Sequence, residues 1–414
     1  MINLRLYLTI TLVTLAGILA GCSKQPSANL DEVMTLYRAN KIEQALPLFE
    51  QLVAQDRDNP EDRVWLAETY RRLGKKEEAI KMARQALALE PCNSFAHTVI
   101  AEAANPVMGM WTQANSDTTW FHIMKAVTCD STDGNPWLLI WGEAIHRGDP
   151  ALMRKALRRL VETGFLTNTA LAYGRWMLQG LPENAILITN GDMDTYPPCA
   201  VQEVDGFRRD VAIVNCGTLN EDWYARFIRD DAGVPLPFDD EQLQSLKAFK
   251  DQQGNVVTPS DQIFRKWVEQ KARGAFNRPL AVAVTVNENY FADCKDNMQF
   301  SGAFLQWHDA TIASTPDTAA MLASLAGFNP EDFTGVWISD QDRSPIRRVY
   351  TKNLVRNITE TAIGCSEALL TAKRTSAAKH WANWADELDG KAELGPVFTT
   401  RIADLQKRLT KTTD

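Results

Sequence analysis

Apolar positions recur at helical spacing through the first quarter of the chain. Leu36, Asn40, Ala45, Phe49 and Leu52 return as Tyr70, Gly74, Ala79, Ala83 and Ala86, every pair thirty-four residues apart. A period of that length marks a helical hairpin that is repeated and stacked, because one hairpin cannot bury its apolar face alone. Small residues at Ala67 and Ala79 let two helices approach, Gly74 opens the turn between them, and Pro91 stops the second helix. The first unit is degenerate, its proline displaced to Pro60; a third begins at Ile100-Ala101 and breaks at Asn105-Pro106. Further degenerate helices are expected over 118–129, over a hairpin Pro136–Leu160 turned at Arg147-Gly148-Asp149, and around Ala170–Leu181.

After residue 181 the pattern changes to short, continuous apolar runs. Ala185–Thr189 predicts a buried strand, Asn190–Asp194 a loop, Tyr196–Phe207 a helix, Asp210–Val214 a second strand and Glu221–Arg229 another helix. Strand, helix and strand with short connections make a βαβ unit, and hence a parallel sheet. Leu280–Val286 supplies a third apolar strand; Val234–Pro237 and Gly254–Pro259 are loops beside helices predicted near 241–251 and 261–274. The expected fold class is α + α/β: a helical array over 31–180, a small parallel α/β domain over 181–310, and a C-terminal helical region over 311–414.

Leu66, Ala67, Tyr70, Gly74, Ala79, Ala83, Ala86 and Pro91 all sit where the tetratricopeptide repeat has its signature residues, and the second unit resembles that repeat closely. The resemblance implies a concave surface for a peptide or protein; an array that only packs on the next domain is the alternative. Farther on, NAILITNGDMDTYP (184–197), QEVDGFRRDVAIVN (202–215) and LNEDWY (219–224), with Arg278-Pro279 opening the third strand, resemble the soluble C-terminal part of polytopic, protein O-mannosyltransferase-like membrane proteins of bacteria. That resemblance covers roughly residues 165–390, and the closing helices, about 349–388, are similar to the family's repeat-like tail. Pro198-Cys199-Ala200 stand where the family has Leu-Trp-Tyr, and Met193 stands where it has Asn between the two aspartates. Helical repeats also stand ahead of this region where the family has its membrane-embedded glycosyltransferase half. The resemblance therefore implies a fold and a neighbourhood in glycan handling, not an inherited transferase activity.

The first twenty-one residues follow another pattern. Arg5 is their only charge, and Leu6–Ala20 run almost wholly apolar, the layout of a secretory leader and too short for a comfortable membrane span. The run closes on Leu19-Ala20-Gly21-Cys22, which resembles the lipobox of bacterial lipoprotein signals. In that family the chain is cut before the cysteine and the thiol is diacylated, and more than one acyl chain anchors a protein stably. Residues 1–21 are thus expected as the leader, Cys22 as the lipidation site and 22–30 as a polar tether. Ser23, with no Asp after the cysteine, implies by the family's sorting rule the outer membrane, facing the periplasm. An ordinary signal peptide with an incidental cysteine is the alternative.

With 44 basic against 52 acidic residues the net charge is −8, and no basic run is present. This argues against nucleic acid and against electrostatic binding to anionic lipid. Cys92, Cys129, Cys199, Cys216, Cys294 and Cys365 are scattered, with no C-x-x-C pair. Cys199 and Cys216, each near the mouth of a predicted sheet, come nearest to a disulfide pair, but buried free thiols are the preferred reading. His97, His122, His146, His308 and His380 form no ligand grouping, so neither metal nor cofactor is expected.

In open α/β sheets ligands bind beyond the carboxyl ends of the strands. Asn190, Asp192 and Asp194 lie at one such end, and Asn215 and Thr218 at another; these are the candidate ligand-binding residues. Two carboxylates one residue apart could hold a divalent cation through oxygen. Equally, they could cap the helix entered at Tyr196-Pro197 by accepting its orphan N–H groups. A phosphatase of the haloacid-dehalogenase type sets its nucleophile directly against the strand, whereas Asn190-Gly191 intervene here. No general base accompanies the pair, so no catalytic residue is expected. Arg208 and Asp210 read as an ion pair in a turn, and Trp223 and Tyr224 as helix packing. The expected function is a membrane-anchored envelope lipoprotein acting as a protein–protein interaction or scaffold module, in a glycan or envelope assembly system. Its partners would be envelope proteins through the repeats and the membrane through Cys22. The alternative is a sugar- or cation-binding protein, or an enzyme, using the sheet-end pocket around Asp192 and Asp194.

Overall fold

The computed structural model describes residues 28–105, 113–309, 317–326, 329 and 345–411. Cys22 with its leader, most of the tether, and residues 106–112 lie outside the described residues. The described residues up to Ala104 make one compact unit and those from Asn105 a second; the helices between 113 and 179, which the sequence groups with the array, are in the second unit.

In the first unit, helices α1 (Leu30–Arg38), α2 (Ile42–Gln55), α3 (Pro60–Arg72), α4 (Lys76–Leu89) and α5 (Ser94–Ala104) follow the repeat period. The turns within the two hairpins each use a residue with left-handed backbone. Gly74 takes it at φ +74° between α3 and α4, and Asn40, its counterpart one period earlier, at φ +58° between α1 and α2. Glycine has no Cβ to clash there, and asparagine tolerates the conformation better than most side chains, so Asn can stand in the degenerate unit. The displaced Pro60 opens α3 at a position where its missing N–H removes no helical bond. Asn59 caps that end by accepting the N–H groups of Glu61 and Asp62 at 2.9 and 3.4 Å.

Two cores result. Between α3, α4 and α5 the contact is made of small residues: Ala67, Ala79, Ala83, Ala86 and Ala96 are wholly buried against Val64, Val99 and Ile100. Between α1, α2 and α3 it is aromatic, Tyr37 meeting Phe49 and Trp65 edge-on at centroid distances of 6.2 and 5.4 Å. The Tyr37 hydroxyl donates to buried Glu68 at 3.0 Å, and Arg71 donates two bonds of 2.6 and 2.7 Å to the same carboxylate. Burying that charge is tolerable because both of its oxygens are partnered.

In the second unit α6 (Gln113–Cys129), α7 (Asn135–His146), α8 (Pro150–Glu162) and α9 (Asn168–Gln179) precede the sheet. The α7–α8 turn falls at Arg147-Gly148-Asp149, where Asp149 accepts the Leu152 N–H at 2.9 Å. Next β1 (Ile186–Thr189), α10 (Asp192–Asp205) and β2 (Ala212–Asn215) form the βαβ unit, the strands parallel with Ile186 opposite Ala212 and Thr189 opposite Asn215. After α11 (Asp222–Asp230) the helix predicted near 241–251 is cut short: α12 covers Asp240–Ser245, and β3 (Phe249–Lys250) with β4 (Val256–Val257) makes a small antiparallel ribbon. Helix α13 (Pro259–Ala272) leads to β5 (Leu280–Ala283), which pairs in parallel with the other side of β1 and ends three residues before Val286. Strands β6 (Met298–Phe300) and β7 (Phe304–Trp307), a hairpin not expected from the sequence, add antiparallel pairing beside β5. The order is β2-β1-β5-β7-β6, a mixed sheet in which β1, β5 and β7 each pair with a strand on both sides. Helices α14 (Thr318–Ala326), α15 (Pro345–Thr371), α16 (Thr375–Ala392) and α17 (Pro396–Lys411) close the chain. The fold is a helical repeat array, a small mixed-sheet domain and C-terminal helices.

Two arginines hold the amino ends of the parallel strands. Arg208 pairs with Asp210 through bonds of 2.9 Å, as the turn reading expected, and also donates to the carbonyls of Leu178, Leu181 and Pro182 at 2.8 Å. Arg278 donates to the carbonyls of Asn184 and Ala185 at 2.9 and 3.3 Å and of Ala232 and Gly233 at 3.1 and 3.2 Å. A guanidinium has five donors in a fixed fork, which suits it to carbonyl oxygens left over where strands begin.

Candidate functional site

At the opposite ends of β1 and β2 the candidate residues divide into two groups. Helix α10 begins at Asp192, four residues before the entry at Tyr196 that the sequence suggested, so Asp194 lies inside its first turn. The Asp194 carboxylate reaches back to accept the N–H groups of Asn190 and Gly191, both at 2.8 Å, and the Thr285 hydroxyl in a short bond. Capping is thus the role its geometry shows, from within the helix instead of ahead of it. Burial raises the Asp194 carboxyl above its ordinary range, and the bonds from Thr285, Asn190 and Gly191 oppose that rise. The Asp192 side chain lies outside what is described.

Asn215 and Thr218 belong to a separate network. The Asn215 side chain accepts the Thr218 N–H at 3.0 Å and donates to Thr195 Oγ1 at 3.3 Å, while Thr195 and Thr189 hydroxyls meet at 2.7 Å. The Asn215 N–H donates to the Tyr224 hydroxyl at 3.1 Å, so Tyr224 ties the end of β2 as well as packing in α11. These bonds fix the β2 exit and occupy both ends of the Asn215 amide. Cys199 and Cys216 are free thiols, the reading preferred over a disulfide between them; the Cys216 thiol points at the Asn190 carbonyl, 3.8 Å away. Burial pushes the Cys199 thiol up to about 12 and the Cys216 thiol up to about 11. Cys92 and Cys129 are each disulfide-bonded.

Asn190 and Asp194 open onto a cleft of about 400 Å³, which Thr285 also lines; its far wall is α15, with Asn353, Leu354, Arg356 and Asn357. Asn215 and Thr218 are not among its lining residues. Thr285 lies beyond the carboxyl end of β5, so the rule that pointed to Asn190 points equally to it. The α15 residues carried no such signal, because helical periodicity does not say where a helix docks. Amides, a hydroxyl, a guanidinium and a carboxyl suit a small polar ligand better than a bare cation: three donors already occupy the Asp194 oxygens, and hard cations need several oxygen ligands. Among the described residues no group of three or more His, Cys, Asp or Glu side chains could hold a metal.

With this geometry established, comparisons with known proteins give two family matches. Residues 36–102 match the tetratricopeptide repeat family, and residues 170–258 match a family described as TMEM260-associated domain 2. The chain contains a tetratricopeptide repeat domain. The second match covers β1, α10, β2 and α11, and with them Asn190, Asp194, Asn215 and Thr218, but not Thr285 or the α15 wall. Among solved structures the chain is similar to TTC0263, a thermophilic TPR protein of Thermus thermophilus, at 16% identity over 49% of this chain and 90% of that one, with a TM-score of 0.32. It is also similar to MamA protein, at 11% identity over 51% of this chain and 95% of that one, with a TM-score of 0.29. No curated protein matches the sequence.

Proposed function

We propose that this protein is a lipid-anchored envelope scaffold, held on a membrane through Cys22 and binding envelope proteins through its repeats. The observation that carries the interaction role is the repeat domain itself, stacked hairpins whose equivalent turns stand at Asn40 and Gly74. The anchor rests on the charged, apolar leader closing on Leu19-Ala20-Gly21-Cys22. A mature chain beginning at Cys22 would need no spanning helix, and among the described residues none is long and apolar enough to cross a membrane. The disulfide bonding of Cys92 and Cys129 accords with an oxidising compartment such as the periplasm. The resemblance over 184–224 supports a place in glycan or envelope assembly, and Ser23 supports the outer membrane facing the periplasm.

Labelling cells with an alkyne-bearing fatty acid tests the anchor. Wild type takes up label and Cys22→Ser does not, accumulating as uncleaved precursor; equal label in the two contradicts the proposal.

The cleft of about 400 Å³ favours a second reading, in which the sheet end binds a small polar ligand such as a sugar. Thermal shift with a panel of monosaccharides tests it: stabilisation of wild type, lost in Thr285→Val or Asn353→Ala, supports the reading, and no shift contradicts it.

A further inference from the structure

A second cleft in the same unit, of about 440 Å³, lies between the α7–α8 turn and helix α11. Its size falls within the range of ligand clefts. Trp223 and Phe227, four residues apart on α11 and both only half-buried, present two aromatic side chains to it. Asp149, Asp230 and Asp231 line it with carboxylates on exposed residues. The one arginine in the lining, Arg226, is paired with Asp222 at 2.8 Å. Arg229, on the neighbouring turn, is paired with Asp230 at 2.8 Å and Asp240 at 2.6 Å. Asp149 caps α8 through one oxygen and has a second, and Asp231 makes only backbone bonds. Asp230 is held by Arg229 and Arg226 by Asp222, so Asp149 and Asp231 are the lining carboxylates with no cationic partner among the described residues, and the cleft, which His146 also lines, is net negative beside its aromatic side chains.

We infer that this cleft receives a lysine or arginine side chain from an exposed segment of a partner polypeptide. Charge complementarity selects that occupant. An ammonium or guanidinium is attracted both to carboxylates and to the faces of aromatic rings, and its alkyl stem packs on the same apolar surface. A phosphate or carboxylate ligand would meet like charge, and Arg226 is already engaged by Asp222. This cleft is built by α7, α8 and α11, so its occupant does not depend on what the repeat surface binds.

Calorimetric titration of the full chain in detergent tests it, with a blocked Gly-Lys-Gly-Lys-Gly peptide as probe. A Gly-Glu-Gly-Glu-Gly peptide and maltose serve as comparators. The Lys peptide should bind, weaken as salt is raised, and lose about fivefold or more in affinity with Asp230→Asn combined with Asp231→Asn. Both positions are exposed, so these variants fold; Trp223→Leu, checked for an unchanged melting temperature, should weaken binding as well. Absence of Lys-peptide binding, binding unchanged in the double variant, or tighter binding of the Glu peptide or maltose would each overturn the inference. None of these results bears on whether the repeats bind a partner.

Discussion

Gly174 lies directly against Pro197: a methyl group at Gly174 would stand 2.7 Å from the Pro197 carbonyl carbon and 2.7 Å from the Pro198 nitrogen. Those atoms are backbone of α10, so they cannot swing aside as a side chain would. The contact fixes how α9 packs on the helix that carries Asp194. Gly174→Ala should therefore destabilise the second unit by about 1–3 kcal/mol through overpacking, although alanine favours a helix intrinsically. Urea denaturation checks this, and a midpoint equal to the wild type's contradicts it.

Glu68 and Glu50 both accept a tyrosine hydroxyl, but in opposite surroundings. Glu68 is buried and shared by Tyr37 and Arg71, whereas Glu50 meets Tyr70 at the surface at 2.8 Å. Glu68→Ala leaves a buried phenol and part of a guanidinium without an acceptor, and should cost about 3 kcal/mol. Glu50→Ala should stay within about 0.5 kcal/mol of wild type. Thermal melts of the two variants compare them directly; equal effects would show that the Glu68 network contributes nothing special.

The Asp194 carboxyl is raised by burial, so the native state binds its proton more readily than the unfolded chain does. Its contribution is then most favourable at low pH and is lost as pH rises through the folded pKa. Asp194→Asn cannot titrate, while the other raised carboxyls among the described residues, Asp62, Glu143 and Glu221, are common to both proteins. The stability of wild type relative to Asp194→Asn should increase as pH falls from about 7 toward about 4. Denaturant melts of both proteins across that range measure it, and a difference that stays flat or runs the other way contradicts the assignment.

The repeats were legible because their spacing repeats as well as their chemistry, down to Asn40 in the place of Gly74. The strands β1, β2 and β5 were legible as continuous apolar runs, since each is buried along its whole length. The start of α10 was not, because Pro197-Pro198 suggest a helix entry, whereas the helix begins at Asp192 and carries both prolines inside it. The hairpin β6–β7 was hidden by its short, partly polar strands, Met298–Phe300 and Phe304–Trp307. Arg208 was readable as the partner of Asp210, but its three carbonyl contacts come from the end of α9 and its connection to β1, which no local pattern places beside it. The cleft wall at Asn353 and Asn357 belongs to a helix more than 150 residues from Asn190, and its docking is a tertiary fact that periodicity does not encode.

Co-purification from solubilised membranes tests most directly whether the folded repeats bind an envelope partner. Ala79 is wholly buried between helices of the second repeat, so Ala79→Arg should force a long charged side chain into the small-residue contact and destabilise the array by roughly 3 kcal/mol or more. Mass spectrometry of material purified with the wild type should find a partner in near-equal amount that is lost with Ala79→Arg, while fatty-acid label on Cys22 persists. A partner recovered equally with both proteins, or none with the wild type, would contradict a scaffold role for the repeats.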